Sequence, residues 1–222
     1  MKTNFPVEQG LAQDASEYGE KDFEQMLVKA KAKGSFMVFT DFINNPIDQM
    51  AKEELYDVWL DNCNINLIDI VTGERVDQDE ITKAVIVGGS PQELPTKDQF
   101  KNLSKQGYDI FVVDRTYKRM PVVPDYVVTV DASDLIKPYY QIEYDVQPRV
   151  ILPLCVSWQV AELIESPLWY MPSIDKVTDN IINKLTGLPI IQSYGTVTNT
   201  ACTLAEYMGA KEIVLVNVTY GW

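Results

Sequence analysis

The sequence predicts an α/β protein with a Rossmann-like, doubly wound and mainly parallel sheet, preceded by a mostly helical N-terminal region. Three observations support this prediction. Apolar runs rich in valine and isoleucine recur after residue 80, amphipathic stretches separate several of these runs, and a glycine-containing turn follows the first run directly. Nearly continuous apolarity is typical of strands that are buried on both faces, as in a parallel sheet.

These patterns predict the individual elements from residue 81 onward. Strands are predicted at 83–88, 109–114, 126–131, 149–155, 188–192 and 212–218. Helices are predicted at Lys97–Gln106, Ser157–Glu165, Val177–Leu185 and Thr198–Met208. Because strands and helices alternate at this spacing, we assign residues 81–222 to one Rossmann-like domain of the kind that binds nucleotides.

Residues 1–80 are predicted to form a separate, mostly helical region. Ser16 is a suitable N-cap, and apolar residues recur at helical spacing from Phe23 onward, which predicts a helix over residues 16–33. A second helix is predicted from residue 47 to about residue 60. The alternating residues 64–70 predict a short strand.

Composition narrows the classes of function. The net charge of −13 argues against nucleic acid or an anionic membrane as a partner. A small anionic ligand remains compatible, because backbone N–H groups bind anions locally. The chain has no histidine, which excludes an imidazole base, a Ser-His-Asp triad and a histidine-ligated metal. Three cysteines and no apolar run of membrane-spanning length predict a cytoplasmic protein without a membrane span.

The first candidate site is the glycine turn, which we define as Gly88, Gly89, Ser90 and Pro91. It follows a predicted buried strand directly. Glycines let the backbone approach a phosphate closely, and N–H groups of the turn can bind the phosphate oxygens. Glycines at such a turn also occur for purely steric reasons. The turn has neither the G-x-G-x-x-G pattern nor the Lys-Ser/Thr pair of a P-loop.

The second candidate site is the acid pair, Asp114 and Asp131, at the ends of two successive predicted strands. Ligands of open α/β sheets bind at the carboxyl ends of strands, where carboxylates can hold Mg²⁺ or a ribose hydroxyl. The alternative is that each acid caps a turn. Arg115, Lys118 and Arg119 form a basic cluster nearby, which is compatible either with a phosphate contact or with a solvated loop.

The third candidate site is the start of the last predicted helix. A strand ends, Gly195 makes a turn, and Thr196 and Thr198 lie at the beginning of the helix. Such hydroxyl groups commonly cap a helix. The same N–H and hydroxyl groups can also face a ligand at the edge of the sheet.

Three segments in order resemble a known superfamily: the glycine turn, residues 122–131, and residues 195–197 followed by 209–216. The chain resembles the archaeal hydroxymethylpterin diphosphokinase-like (MptE-like) domains and the bacterial motility accessory factors. That superfamily is also similar to sialyltransferases that use cytidine monophosphate sugars. The resemblance covers about residues 83–220.

This resemblance implies a Rossmann-like fold with a nucleotide bound over the glycine turn. It implies that Gly88, Gly89, Ser90 and Pro91 cradle phosphate. By the same resemblance Asp114 and Arg115 lie near the nucleotide or acceptor, Asp131 faces the same cleft, and residues 195–198 line its far side. The chain departs from the family after the last strand, where Asn217-Val218-Thr219 replaces the usual Gly-x-Asp element.

Three functions remain open. The first is a nucleotide-dependent transferase of the glycosyltransferase-like type, with a nucleotide or nucleotide-sugar as substrate and Asp131 as general base or metal ligand. The second is a hydroxymethylpterin diphosphokinase that uses ATP and Mg²⁺ held by Asp114 and Asp131. The third is a domain that binds a nucleotide or a protein without turnover. The oligomeric state, including a homo-oligomer, is also open.

Overall fold

The structure, a computed structural model, covers most of the chain from residue 58 onward. It describes residues 58–59, 61–67, 70, 73–78, 80–141, 147–173, 176–193 and 196–218. The helix predicted at 16–33 and most of the helix predicted at 47–60 lie outside these residues. Residues Leu55–Gly221 form one compact unit. The predicted division near residue 80 stays a prediction.

The described residues form an eight-stranded sheet whose pairings are all parallel. The strands are β1 (Glu74–Arg75), β2 (Lys83–Val87), β3 (Asp109–Val113), β4 (Tyr126–Val128), β5 (Arg149–Pro153), β6 (Leu168–Pro172), β7 (Ile190–Ile191) and β8 (Glu212–Val216). Their order is β1-β6-β5-β4-β3-β2-β8, and β7 also pairs with β6. The prediction of a mainly parallel α/β sheet is confirmed.

One long buried strand, β6, was missing from the prediction. All five residues of β6 are buried, and the strand lies beside β5 in the sheet. Its sequence is Leu-Trp-Tyr-Met-Pro, so it contains neither valine nor isoleucine. Trp169 and Tyr170 fill the place that β-branched residues take in the other strands, since aromatic side chains also suit a buried pleated surface. A search for valine and isoleucine runs therefore overlooked it.

The helices of the described region are α1 (Lys97–Lys105), α2 (Asp114–Tyr117), α3 (Lys137–Tyr140), α4 (Trp158–Ala161), α5 (Lys176–Thr186) and α6 (Val197–Tyr207). Helix α1 begins at a capping box, in which Thr96 and Gln99 each accept a hydrogen bond from the other's backbone N–H. Helix α4 is shorter than the predicted 157–165. None of the helices in the described ranges is long and apolar enough to cross a membrane.

Helices cover both faces of the sheet, as a doubly wound fold requires. Val85 and Val87 of β2 pack in one core with Phe100 of α1. Ile86, which points to the opposite face because side chains alternate along a strand, packs in a second core with Leu204 of α6. Each such fully buried side chain contributes about 1.5–3 kcal/mol relative to exposure.

Residues 61–67 are helical, so the strand predicted at 64–70 is wrong. Asn64 and Ile65 are exposed, whereas positions 62, 63, 66 and 70 are buried. Buried residues three or four apart lie on one face of a helix. The polar and apolar residues from 64 to 70 alternate as they would in a strand. The side chains that are buried, however, follow helical spacing.

The strand order reverses at β2. From β2 the chain steps through β3, β4, β5 and β6 in one direction, whereas β8 lies on the other side of β2. In open α/β sheets a ligand binds outside the carboxyl ends of the strands at such a switch point. The glycine turn follows β2 at this place. The fold thus puts the first candidate site where ligands of this fold class bind.

Candidate functional site

Gly88 lies where the ends of β2 and β8 meet. Its N–H donates to the carbonyl oxygen of Val216 (2.9 Å). A Cβ atom at position 88 would lie 2.7 Å from Cγ2 of Val218, 2.9 Å from the carbonyl oxygen of Asn217 and 3.4 Å from Oγ1 of Thr198. A side chain therefore does not fit without moving backbone. Gly88 has a steric reason to be glycine.

Gly89 is different, because its position has room for a side chain. A Cβ atom there would meet only Cγ2 of Val113, at an ordinary contact distance of 3.7 Å. The backbone of Gly89 is not in the left-handed region. Packing and conformation in the described part of the chain thus give no reason for glycine at position 89.

Two carbonyl groups of the glycine turn, those of Gly88 and Ser90, accept hydrogen bonds from side chains. The carbonyl oxygen of Gly88 accepts hydrogen bonds from Oγ1 of Thr116 (2.9 Å) and Nδ2 of Asn217 (3.0 Å). The carbonyl oxygen of Ser90 accepts from the same Nδ2 (2.9 Å) and from Nη1 of Arg119 (2.8 Å). Two donors at each oxygen satisfy both lone pairs. These carbonyls are therefore fixed by the protein.

Most backbone N–H groups of the turn are also engaged. The N–H of Ser90 donates to the carbonyl oxygen of Asn217 (3.2 Å), and Pro91 has no N–H. The Ser90 hydroxyl accepts from the N–H of Gln92 (3.3 Å), and the residue is 7% exposed. The N–H of Gly89 has no acceptor among the residues that the structure describes. Gly89 thus supplies the available backbone donor of the turn.

The start of α6 lies beside this turn, since Oγ1 of Thr198 is next to Gly88. Thr196 is the N-cap, and its hydroxyl accepts from the N–H of Asn199 (3.2 Å). The N–H groups of Val197 and Thr198 belong to the first turn, where a helix offers no internal acceptor. The predicted residue Gly195 lies outside the described residues. The structure therefore brings Gly88 and Thr198 together.

The basic cluster has a structural role at one of its three members. The Arg119 guanidinium donates to the carbonyl oxygens of Ser90 (2.8 Å) and Gln92 (2.6 Å), and so fastens the loop that leaves the glycine turn. Arg115 and Lys118 are exposed. Two of the three cations therefore remain accessible to an anion in solvent.

Asp114 is buried at the start of α2, with 7% of its surface exposed. Oδ2 accepts a hydrogen bond from the Thr129 hydroxyl (2.6 Å), and Oδ1 accepts from the N–H of Arg115. Burial raises the pKa of the Asp114 carboxyl above its usual value; these two hydrogen bonds oppose the rise, and the negative charge of Asp131 adds to it. Both oxygens are thus engaged by the protein.

Asp131 is half-buried and lies three residues beyond the end of β4. Its Oδ1 accepts a hydrogen bond from the N–H of Ser133 (2.8 Å), the geometry of an aspartate that caps a turn. Its own N–H donates to the Thr129 hydroxyl (3.3 Å), the same group that donates to Asp114. Thr129 therefore links the acid pair.

The acid pair was predicted to hold Mg²⁺, and the protein engages part of both carboxylates. Mg²⁺ takes six oxygen ligands, usually one or two carboxylates together with water and substrate phosphates. Both oxygens of Asp114 already accept hydrogen bonds, while one oxygen of Asp131 is engaged. No group of three or more metal-binding side chains occurs in the described ranges. Each of these three oxygens accepts one hydrogen bond and keeps a lone pair, so the Mg²⁺ site stays a prediction.

The sequence prediction overlooked Asn217 as a site residue. It follows β8 with a φ of 55°, a left-handed conformation that asparagine tolerates better than most side chains do. Its Nδ2 lies between two carbonyl acceptors, which fixes the orientation of the amide. One signal was present in the sequence. Asn217 stands where the resembling family has the glycine of its Gly-x-Asp element, and glycine also adopts positive φ.

Asn62 and Asn66 were overlooked as well. Nδ2 of Asn62 donates to the carbonyl oxygens of Ala132 and Cys155 (both 3.1 Å). Nδ2 of Asn66 donates to the carbonyl oxygens of Leu154 and Val156 (both 2.8 Å). These two amides, four residues apart on one helix face, hold the loops that follow β4 and β5. Two residues that precede position 80 in the sequence thus support the carboxyl edge of the sheet.

Together, the parallel sheet, the helices on both faces and the turn at the switch point define a Rossmann-like α/β domain. The model of the 6-hydroxymethylpterin diphosphokinase MptE-like family matches residues 59–221. The chain therefore belongs to the MptE-like family. This result confirms the resemblance found from the sequence motifs, and the match begins before the first predicted strand of the sheet.

Among solved structures, the chain is similar to the MAf glycosyltransferase from Magnetospirillum magneticum AMB-1. The two are 18% identical, with a TM-score of 0.49, over 65% of this chain and 24% of that chain. This chain therefore spans about a quarter of the length of that protein. No curated protein sequence matches the chain.

Proposed function

We propose that this protein is a nucleotide-binding transferase of the glycosyltransferase-like type. In this proposal the phosphate of a nucleotide or nucleotide-sugar lies between the glycine turn and the start of α6. The observation that carries the proposal is Gly89, whose N–H has no acceptor in the described region and whose position has room for a Cβ atom. A close-approaching ligand explains glycine at this position, where packing does not.

Several donors near Gly89 suit a phosphate. The N–H groups of Val197 and Thr198 lack acceptors within α6, and the start of a helix carries a partial positive charge. These fixed dipoles act over a short range, so they can hold an anion although the whole chain carries a net charge of −13. Preorganised donors of this kind stabilise the charge on a departing phosphate.

Asp131 is the side chain that we propose as general base or as a contact to nucleotide-bound Mg²⁺. One of its oxygens caps a turn, and the residue is half-buried rather than enclosed. Because the chain has no histidine, a carboxylate is the natural base at neutral pH. Asp114 is less suited, since its surroundings are buried and both oxygens accept hydrogen bonds.

A second candidate is a hydroxymethylpterin diphosphokinase that uses ATP and Mg²⁺. Membership of the MptE-like family favours it. It needs metal held by the acid pair, and the engagement of both Asp114 oxygens weighs against that arrangement. A third candidate is nucleotide or protein binding without turnover, which the turn-capping geometry of Asp131 favours.

Thermal-shift measurements with cytidine, uridine, guanosine and adenosine nucleotides, each with and without Mg²⁺, test the proposal. A ligand present at about 100 times its Kd stabilises the native state by about 2.7 kcal/mol, which raises the melting temperature by several degrees. Stabilisation by cytidine or uridine nucleotides supports the glycosyltransferase-like function, and Mg²⁺-dependent stabilisation by ATP supports the diphosphokinase. If no nucleotide raises the melting temperature, the proposal is wrong.

A further inference from the structure

Asn217 joins the end of β8 to the glycine turn by three hydrogen bonds. Its side-chain Nδ2 donates to the carbonyl oxygens of Gly88 (3.0 Å) and Ser90 (2.9 Å), and its own carbonyl oxygen accepts from the N–H of Ser90 (3.2 Å). The two carbonyls that Nδ2 holds lie on either side of Gly89. One side chain thus contacts the turn on both sides of its available donor.

Holding the Gly88 carbonyl also sets the direction of the Gly89 N–H. The carbonyl of one residue and the N–H of the next belong to a single planar peptide, in which they point in opposite directions. With the Gly88 oxygen fixed by Asn217 and Thr116, the Gly89 N–H must point away from both. An anion requires this orientation, because carbonyl oxygens repel phosphate oxygens whereas N–H groups bind them.

The backbone at position 217 does not explain the asparagine. Its φ of 55° suits glycine better than any other residue. Glycine, however, has no amide to hold the two carbonyls. Asparagine is therefore the residue type that accepts this conformation and also supplies a donor.

We propose that Asn217 is a positioning residue, which presets the Gly89 N–H for the phosphate of the ligand. This inference rests on the proposed nucleotide site. It predicts that loss of the Asn217 side chain weakens ligand binding at that site more than it lowers the stability of the fold. Removal of the amide leaves each carbonyl with one other donor, Thr116 at Gly88 and Arg119 at Ser90.

The test compares the wild type with Asn217→Gly, which keeps the positive φ and removes the amide. Two quantities are measured by NMR: amide hydrogen exchange in the free protein at Ser90, whose N–H donates to the Asn217 carbonyl, and the Kd for inorganic phosphate from the shift of the Gly89 resonance. We expect exchange at Ser90 to become about tenfold faster and the Kd to rise about tenfold, as loss of about one net hydrogen bond predicts. The melting temperature should change little, because relief of backbone strain offsets the lost bonds.

Asn183→Ala is the matched control. It removes an amide that donates to another carbonyl, that of Leu188 (2.7 Å), at the end of α5. We expect it to lower the melting temperature without changing the phosphate Kd or exchange at Ser90. Asn217→Asp is a second test variant, should Asn217→Gly fail to fold. Its carboxylate keeps the shape of the side chain and cannot donate, so exchange at Ser90 should again become faster. Because the added negative charge repels phosphate by itself, this variant is judged by exchange alone.

The outcomes separate this inference from the proposed function. Unchanged Ser90 exchange in both Asn217 variants and unchanged phosphate affinity in Asn217→Gly overturn the role of Asn217. If wild-type protein binds neither phosphate nor any nucleotide while exchange at Ser90 still rises in Asn217→Gly, the proposed function is wrong and the control of the turn by Asn217 is supported.

Discussion

The glycine turn and the acid pair lie at the same carboxyl edge of the sheet and use their polar groups in opposite ways. At the glycine turn, the carbonyls of Gly88 and Ser90 are held by protein donors, and the Gly89 N–H has no acceptor in the described region. At the acid pair, three carboxylate oxygens accept hydrogen bonds from neighbouring residues.

The difference suggests a criterion for a ligand site, namely polar groups that have no hydrogen-bond partner within the described part of the protein. A donor that the protein holds in place without an acceptor of its own is accessible to a ligand or to water. A carboxylate whose oxygens already have partners serves the local structure first. The glycine turn is therefore the stronger part of the candidate site, and four substitutions test this comparison.

The largest expected effect on stability is at Gly88. Gly88→Ala puts a Cβ atom 2.9 Å from the carbonyl oxygen of Asn217, so we expect a loss of about 2–3 kcal/mol. Gly89→Ala, the matched control, meets only Val113 at 3.7 Å and should change stability by less than about 0.5 kcal/mol. Urea unfolding of both variants measures this. Equal losses would contradict the distinction between the two glycines.

The next effect concerns ligand binding at Gly89. Gly89→Val leaves room for the first side-chain carbon against Val113 but fills the space that a phosphate needs beside the N–H. We expect a folded protein whose nucleotide affinity falls by about 100-fold or more, equivalent to about 2.7 kcal/mol. Isothermal titration with the nucleotide that stabilises the wild type most is the measurement. Normal affinity in the folded variant would move the site elsewhere.

A smaller effect, dependent on pH, is expected at Asp114. Because its pKa is raised in the folded state, its protonated form is favoured there. The stability it contributes is fully present below its unfolded pKa of about 3.9 and is lost as the pH rises through the raised value. Asp114→Asn removes this dependence, so its stability relative to the wild type should increase as the pH rises from about 4 through the raised pKa of Asp114.

Denaturant unfolding of the wild type and Asp114→Asn at several pH values measures this difference. Glu93→Gln, at an exposed loop position, is the control and should show no such trend. A stability difference that stays constant with pH would mean that Asp114 has an ordinary pKa.

A small effect on stability is also expected at Asp131. In Asp131→Asn the side-chain oxygen can still accept from the Ser133 N–H, so we expect a loss below about 1 kcal/mol. If Asp131 is the base or a contact to Mg²⁺, turnover or Mg²⁺-dependent nucleotide binding should disappear in the same variant. Lost stability together with normal binding and turnover would leave Asp131 with a structural role alone.

Much of the fold was predictable from local patterns. All six predicted strands occur, because valine and isoleucine runs between turn residues are hard to place outside a buried sheet. Helices α1 and α6 begin at threonine caps that the sequence displays. The elements that were missed or mistaken depend on contacts with distant residues. Strand β6 is buried through its neighbours, and the helix at 61–67 follows from the docking of Asn62 and Asn66 against loops some 70 to 93 residues further on.

By itself, the sequence determined the class of fold, the place of the glycine turn after a buried strand and the family to which the chain belongs. Only the tertiary structure decided which polar groups of the turn remain available. The partners that engage the Gly88 carbonyl are Thr116 and Asn217, which lie 28 and 129 residues away along the chain. Strand and turn propensities act over a few residues, whereas the fate of each N–H and carbonyl depends on which distant strand ends beside it.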